Sequence, residues 1–272
     1  ARVGDARAVA QAAIVRGAAW TMQVPEDLTV VAELSADAGF LLQVTRDGFV
    51  RVWDLDHRRL VIARQYPHDV RALWAGKAVL VTPAKAAPEL LDPFAGTIQA
   101  VSVGPITWAT ATASGDRVAY LDDHGAANLL EVATRTARPL WPGHEVKEIE
   151  IASDGGWIAL ADKATVVVLD ATGSELASHP GPVLRLFGSR FDEIGYATQD
   201  KVWICKLTPK PVWTEVELAT PHPAPGAARP PFPIDFAFRG HELDIYMTSG
   251  KVLAWNGKRL WERLTLDGMT FR

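Results

Sequence analysis

The chain has 272 residues, 48% of them hydrophobic, with a formal net charge of −4 and one cysteine. That length admits one large all-β domain or two average ones, and no apolar run approaches the roughly 18 residues of a membrane span. Lysine and arginine are dispersed and form no basic stripe, which argues against a nucleic-acid surface.

In chain order, residues 1–26 are alanine-rich and read two ways: a short helix over Ala6–Arg16, or a hairpin of Ala12–Val15 and Ala18–Val24 turning at Arg16-Gly17. From Leu28 the pattern is uniform. Short apolar runs alternate with Gly, Asp, Asn and Ser, residues that tolerate or build tight turns. Strands are predicted near 29–34, 40–45, 49–55 and 60–65, then 70–74, 78–82, 89–92 and 97–103. A third group, Ile106–Leu140, contains Arg117–Leu121 and Asn128–Val132. The fourth comprises Val146–Ile151, Trp157–Ala161, Thr165–Leu169 and Glu175–Ser178. A fifth, Val183–Leu218, includes Lys201–Leu207 and Val212–Leu218, and Ile234–Leu266 forms the sixth. The residues that close each third strand, Asp54, Asp92, Glu131, Asp170, Lys206 and Asn256, are separated by 38, 39, 39, 36 and 50 residues. Most of the excess in the last step is the proline-rich insertion Thr220–Pro233. A period near 40 built from short strands indicates a β-propeller with four strands per blade.

Gly143-His144, Ser153-Asp154-Gly155, Asp162 and Leu169-Asp170 resemble a WD-repeat blade, as do Asp47-Gly48 and Val52-Trp53-Asp54. The resemblance spans most of the chain in period but only two blades in motif. It implies that His144 and Asp162 join a buried hydrogen-bond network bracing adjacent strands, with most other blades held by packing. A weaker likeness runs to pyrroloquinoline-quinone-type propeller repeats over Lys251–Leu266 and Thr165–Ser174, where Trp261 is the docking tryptophan. Sheets at the ends of the chain need their edges hidden. Gly268–Arg272 resembles Ile234–Arg239, so seven blades are expected, the seventh split between the termini; six complete blades is the alternative. The whole chain, 1–272, is expected to be a single domain, and its start at Ala1 suits a piece of a longer polypeptide.

No catalytic, cofactor-binding or metal-ligating set is expected from the residue pattern. There is no phosphate-cradling glycine loop, Gly-x-Ser-x-Gly elbow, His-Glu-x-x-His or Cys-x-x-Cys. Cys205 lies within an apolar strand and reads as a buried, inert thiol. Asp54-Leu55-Asp56-His57 and Asp122-Asp123-His124 read as polar turns in preference to cation sites, and Glu215 and Glu217 as one solvated strand face. His68, His179, His222 and His241 fall near turns or loops without partners in sequence. Trp53, Trp203 and Trp255 are expected in the packing between blades, whereas Trp74, Trp108 and Trp141 are candidates for a binding rim.

The expected function is a non-enzymatic protein-interaction scaffold of WD-repeat type, serving an attached or associated effector. Its partners would be proteins and its compartment the cytoplasm, which a single cysteine suits. The alternatives are a propeller enzyme, hydrolase or quinone-dependent dehydrogenase, and a periplasmic quinone-repeat-like assembly factor. The proline-rich segment 220–233 reads as a tolerated insertion or as a docking peptide or lid.

Overall fold

Short strands joined in sequence by tight turns should pair as meanders, with the second and third strands of each group mid-sheet and the first and fourth at its edges. A computed structural model, describing residues 29–67, 69–188, 192–198, 201–218, 233–239, 242–247, 249 and 251–265, shows this arrangement. The described residues form 24 strands and no helix. They build six four-stranded antiparallel sheets, each with its strands in sequence order. The chain divides into two compact units, with the boundary between Glu145 and Val146.

In the first unit, sheet 1 comprises β1 (Thr29–Leu34), β2 (Phe40–Thr45), β3 (Phe49–Asp54) and β4 (Arg59–Gln65). Sheet 2 comprises β5 (Val70–Ala75), β6 (Ala78–Pro83), β7 (Glu89–Asp92) and β8 (Thr97–Ala100). Sheet 3 comprises β9 (Ile106–Ala111), β10 (Arg117–Asp122), β11 (Ala127–Glu131) and β12 (Thr136–Pro139). Leu42, Val44, Val50 and Val52 of sheet 1 bury their side chains against Val70, Ala72, Val79 and Leu91 of sheet 2. The opposite face of sheet 2, through Leu80 and Leu90, packs on Ile106, Val118, Tyr120 and Leu130 of sheet 3. Each such aliphatic side chain contributes on the order of 2 kcal/mol by leaving water. Turn chemistry tightens the contact. Gly115 sits at φ 64° against the Gly76 backbone, so close that a Cβ would overlap it.

In the second unit, sheet 4 comprises β13 (Glu148–Ile151), β14 (Trp157–Ala161), β15 (Thr165–Asp170) and β16 (Glu175–Pro180). Sheet 5 comprises β17 (Arg185–Gly188), β18 (Glu193–Ala197), β19 (Lys201–Lys206) and β20 (Val212–Glu217). Sheet 6 comprises β21 (Pro233–Arg239), β22 (Glu242–Met247), β23 (Lys251–Trp255) and β24 (Leu260–Thr265). Ala159, Val166 and Val168 pack on Ile194, Tyr196 and Cys205. Val202, Ile204 and Val216 pack on Leu243, Ile245 and Met247. Gly188 is small because the Trp157 ring lies where its Cβ would be.

The expected strands are found within two residues, except that β8 stops at Ala100 instead of Val103. The N-terminal helix or hairpin, the split seventh blade, most of the proline-rich insertion, and His68, His222 and His241 lie outside the described residues.

Candidate interaction surface

In an antiparallel meander the first and third turns lie at one end of the sheet and the second at the other. Many of these turns are pinned by one carboxylate or amide oxygen. Asp37 Oδ1 accepts from the Gly39 N–H (3.0 Å), and Asp92 Oδ1 from the N–H groups of Phe94 (2.8 Å) and Ala95 (3.0 Å). Asp122, Asp154, Asp162 and Asp170 accept likewise from N–H groups two residues on, as does Asn256. Such bonds fix the backbone of the turn.

At the first-turn end of sheets 1 and 2, the third turn of sheet 2 projects Phe94, 59% exposed. Its ring stands edge-on to Phe40 at 4.7 Å between centroids, and Phe40 in turn lies 6.5 Å from Trp74. Leu60 and Ile98 are also exposed. Beneath them a polar clasp joins the two sheets. Glu89 on β7 accepts from Arg64 Nη2 (3.0 Å) and from the Tyr66 hydroxyl (2.7 Å), and the Arg64 guanidinium covers the Tyr66 ring at 5.1 Å. Burial and the Glu89 charge push the Tyr66 hydroxyl well above the ordinary tyrosine value. Towards the other end, Arg71 donates to the Thr107 carbonyl (2.7 Å) and lies over the Trp108 ring at 5.2 Å.

The second unit has an aromatic counterpart. His179 on β16 places Nδ1 2.7 Å from the Tyr196 hydroxyl oxygen, and that hydroxyl donates to the Pro180 carbonyl (3.3 Å). The imidazole lies 4.4 Å from the Trp203 ring and 4.9 Å from that of Trp213. Burial and the nearby Glu215 push the Tyr196 hydroxyl up to about 12. Farther along, fully buried Asp244 has its Oδ1 3.3 Å from Arg263 Nε.

Cys205 is buried, and burial pushes its thiol up to about 11, which keeps it protonated. Burial also works to raise the Asp54 carboxyl, but the backbone N–H and ring of His57, with Arg59, together hold it below its ordinary value. His57 Nδ1 is 2.8 Å from Asp54 Oδ2, a hydrogen bond across the turn. Asp122 caps its own turn, and His124 Nε2 lies 3.8 Å from Asp123. Among the described residues no three His, Cys, Asp or Glu side chains converge as metal ligands would. Glu215 pairs with Lys201 at 2.6 Å.

Two expectations need correction. His144 is exposed instead of buried: after Pro142 and Gly143 (φ 84°) its ring stacks on Trp141 at 3.8 Å and 9°. Trp74 is no rim residue; it is buried between sheets 1 and 2 and donates Nε1–H to the Glu33 carbonyl (3.2 Å). Trp108 and Trp141 are half-buried, and Trp203 and Trp255 pack against the inter-sheet cores as expected. The two clasps leave no trace in the local sequence. Glu89 and His179 carry no local motif, because their partners Tyr66 and Tyr196 lie 23 and 17 residues away.

No family model and no curated protein sequence matches the chain. Solved structures do. The β-propeller domain of Cps50 (Swd1) from Myceliophteria thermophila superposes with a TM-score of 0.66 at 14% identity, covering 91% of this chain and 89% of that one. The computationally designed protein Ika8 superposes with a TM-score of 0.57 at 13% identity, covering 87% and 86%. At such identities the common property is the fold. No helix among the described residues is long and apolar enough to cross a membrane.

Proposed function

From the premise that the chain has the β-propeller fold, first read in its period and then found in its structural neighbours, we propose that it is a non-enzymatic protein-interaction platform. The reading is supported above all by Phe94. A large aromatic side chain is held 59% exposed on a capped turn, backed by Phe40 and, behind it, by Trp74. Such an arrangement loses little conformational freedom on binding, and aromatic anchors carry much of the energy at protein interfaces. Partners would be proteins, engaged at the turn ends in the cytoplasm, on behalf of an effector attached to or associated with this chain.

The test places a photoreactive phenylalanine analogue at position 94 of the intact chain. The expected result is a discrete protein adduct that excess unlabelled chain competes away. Turnover of ester, lactone or alcohol substrates without any such adduct would overturn the reading in favour of a propeller enzyme.

A further inference from the structure

The outermost strand of every sheet leaves one row of backbone N–H and C=O groups without a ladder partner, and proteins commonly blunt such edges with charge or proline. Among the described residues, five of the six outer strands are blunted. β4 carries Arg59 and Arg64, β12 Arg138 and Pro139, β16 Glu175 and Pro180, β20 Glu215 and Glu217, and β24 Glu262 and Arg263. β8, Thr97-Ile98-Gln99-Ala100, has neither charge nor proline, and all four residues are exposed. Its backbone direction follows from one bond. The Val101 N–H donates to the Pro88 carbonyl (2.9 Å), so Thr97 and Gln99 turn their main-chain groups towards β7, and Ile98 and Ala100 turn theirs outward.

The side chains supply a second, independent feature. Ile98 pairs with Leu91 and Ala100 with Glu89, both on the face of sheet 2 that meets sheet 1. Ile98 is 44% exposed there, and the Phe94–Phe40 pair lies at the same end of the same face. A strand laid along β8 would therefore meet open donors and acceptors and, on its sheet-1 side, an apolar corner of Phe94, Phe40 and Ile98.

We propose that β8 is a strand-addition site for an extended, uncharged peptide segment of a partner protein, with alternate aliphatic or aromatic side chains facing that corner. This rests on the interaction-platform reading and names the partner's chemistry. A second copy of the chain is the weaker occupant. Four residues extend roughly 13 Å, and two rigid edges meeting over that length fall well short of the roughly 800 Å² per partner of a specific dimer. A peptide has no such limit, because it takes main-chain hydrogen bonds and a side-chain pocket together.

The probe is a short synthetic peptide of alternating valine and threonine, bracketed by serines and carrying an uncharged fluorophore, titrated against the intact chain. Saturable binding is expected. Ile98→Pro removes only an outward N–H, so the sheet should survive while binding falls by about tenfold or more, the scale of one lost hydrogen bond plus its apolar contact. Ile98→Lys, which gives β8 the charge its counterparts carry, should do the same at an unchanged melting temperature. The peptide N-methylated at every residue should not bind. Undiminished binding by both Ile98 variants, equal binding of the N-methylated peptide, or no saturable binding to the wild-type chain would each overturn the proposal. So would a dimer in sedimentation that Ile98→Lys dissolves, since the edge would then belong to a second copy. A competed adduct at position 94 that is indifferent to both Ile98 variants removes strand addition but leaves the platform reading standing. Absence of both adduct and peptide binding removes both.

Discussion

The junction of sheets 1 and 2 and the junction of sheets 4 and 5 solve one problem with different chemistry. In each, a group on or just after the outer strand of one sheet reaches an inner strand of the next, Tyr66 to Glu89 on β7 and His179 to Tyr196 on β18. The first clasp is ionic, with Arg64 completing the set on Glu89. The second is aromatic, an imidazole against two indoles with a phenol as its hydrogen-bond partner. The meander topology places the clasp, and its chemistry is free to vary. Blades can thus diverge from any shared motif while staying braced.

Breaking the aromatic clasp should cost most. Tyr196 is fully buried in the sheet 4–5 core, so Tyr196→Ala should lower stability by about 3–5 kcal/mol, the range for truncating a large core side chain. Denaturant unfolding measures it; a loss below about 1 kcal/mol would show that His179 and the tryptophans hold the junction without it. The ionic clasp should yield less. Arg64 and Glu89 retain some contact with solvent, so Glu89→Ala should cost about 1–2 kcal/mol, by an amount that shrinks as salt screens the Arg64 charge. Tyr196→Phe sharpens the contrast. It removes one hydroxyl, costs about 1 kcal/mol, and should be indifferent to salt. A salt-dependent Tyr196→Phe effect, or a salt-independent Glu89→Ala effect, would erase the distinction between the junctions.

Why the period was readable and the clasps were not comes down to range. Most residues that mark the beat do local work. Asp54, Asp92, Asp170 and Asn256 cap the turn that follows them, accepting N–H groups within four residues, so their identity shows in the sequence at once. The alternation of strands is equally local. A clasp depends on register across two sheets, and nothing beside Glu89 or His179 announces a tyrosine in the neighbouring sheet. The His144 expectation failed for a related reason. A motif carried the expectation of burial, whereas the Pro142-Gly143 turn and the adjacent Trp141 determined where the ring rests. The unblunted edge of β8 was present in the letters TIQA, but its meaning needed the other five outer strands to be known as outer strands.

Acid should affect the two units through carboxyl groups shifted in opposite directions, and this is the smallest expected effect. In the first unit, Ser114 and Thr112 donate their hydroxyls to Asp116 (2.5 and 2.6 Å) and hold its carboxyl below the ordinary 3.8. The folded state therefore prefers the ionised form, and this contribution, present above pH 3.8, is lost as pH falls through the lowered value. In the second unit, burial pushes the Glu148 carboxyl above the ordinary 4.5, and the Arg185 guanidinium 3.7 Å away offsets this only in part. Here the folded state prefers the protonated form, so the contribution is full below pH 4.5 and disappears as pH rises through the raised value. Asp116→Asn should accordingly melt below the wild type at neutral pH and converge with it in acid. Glu148→Gln, which resembles the protonated acid, should melt at or above the wild type at neutral pH, with the gap closing as pH drops below 4.5. Melting curves of both variants across this range decide the matter. If Glu148→Gln instead melts lower at neutral pH, Arg185 outweighs burial, and the junction of sheets 4 and 5 is held by charge as the junction of sheets 1 and 2 is.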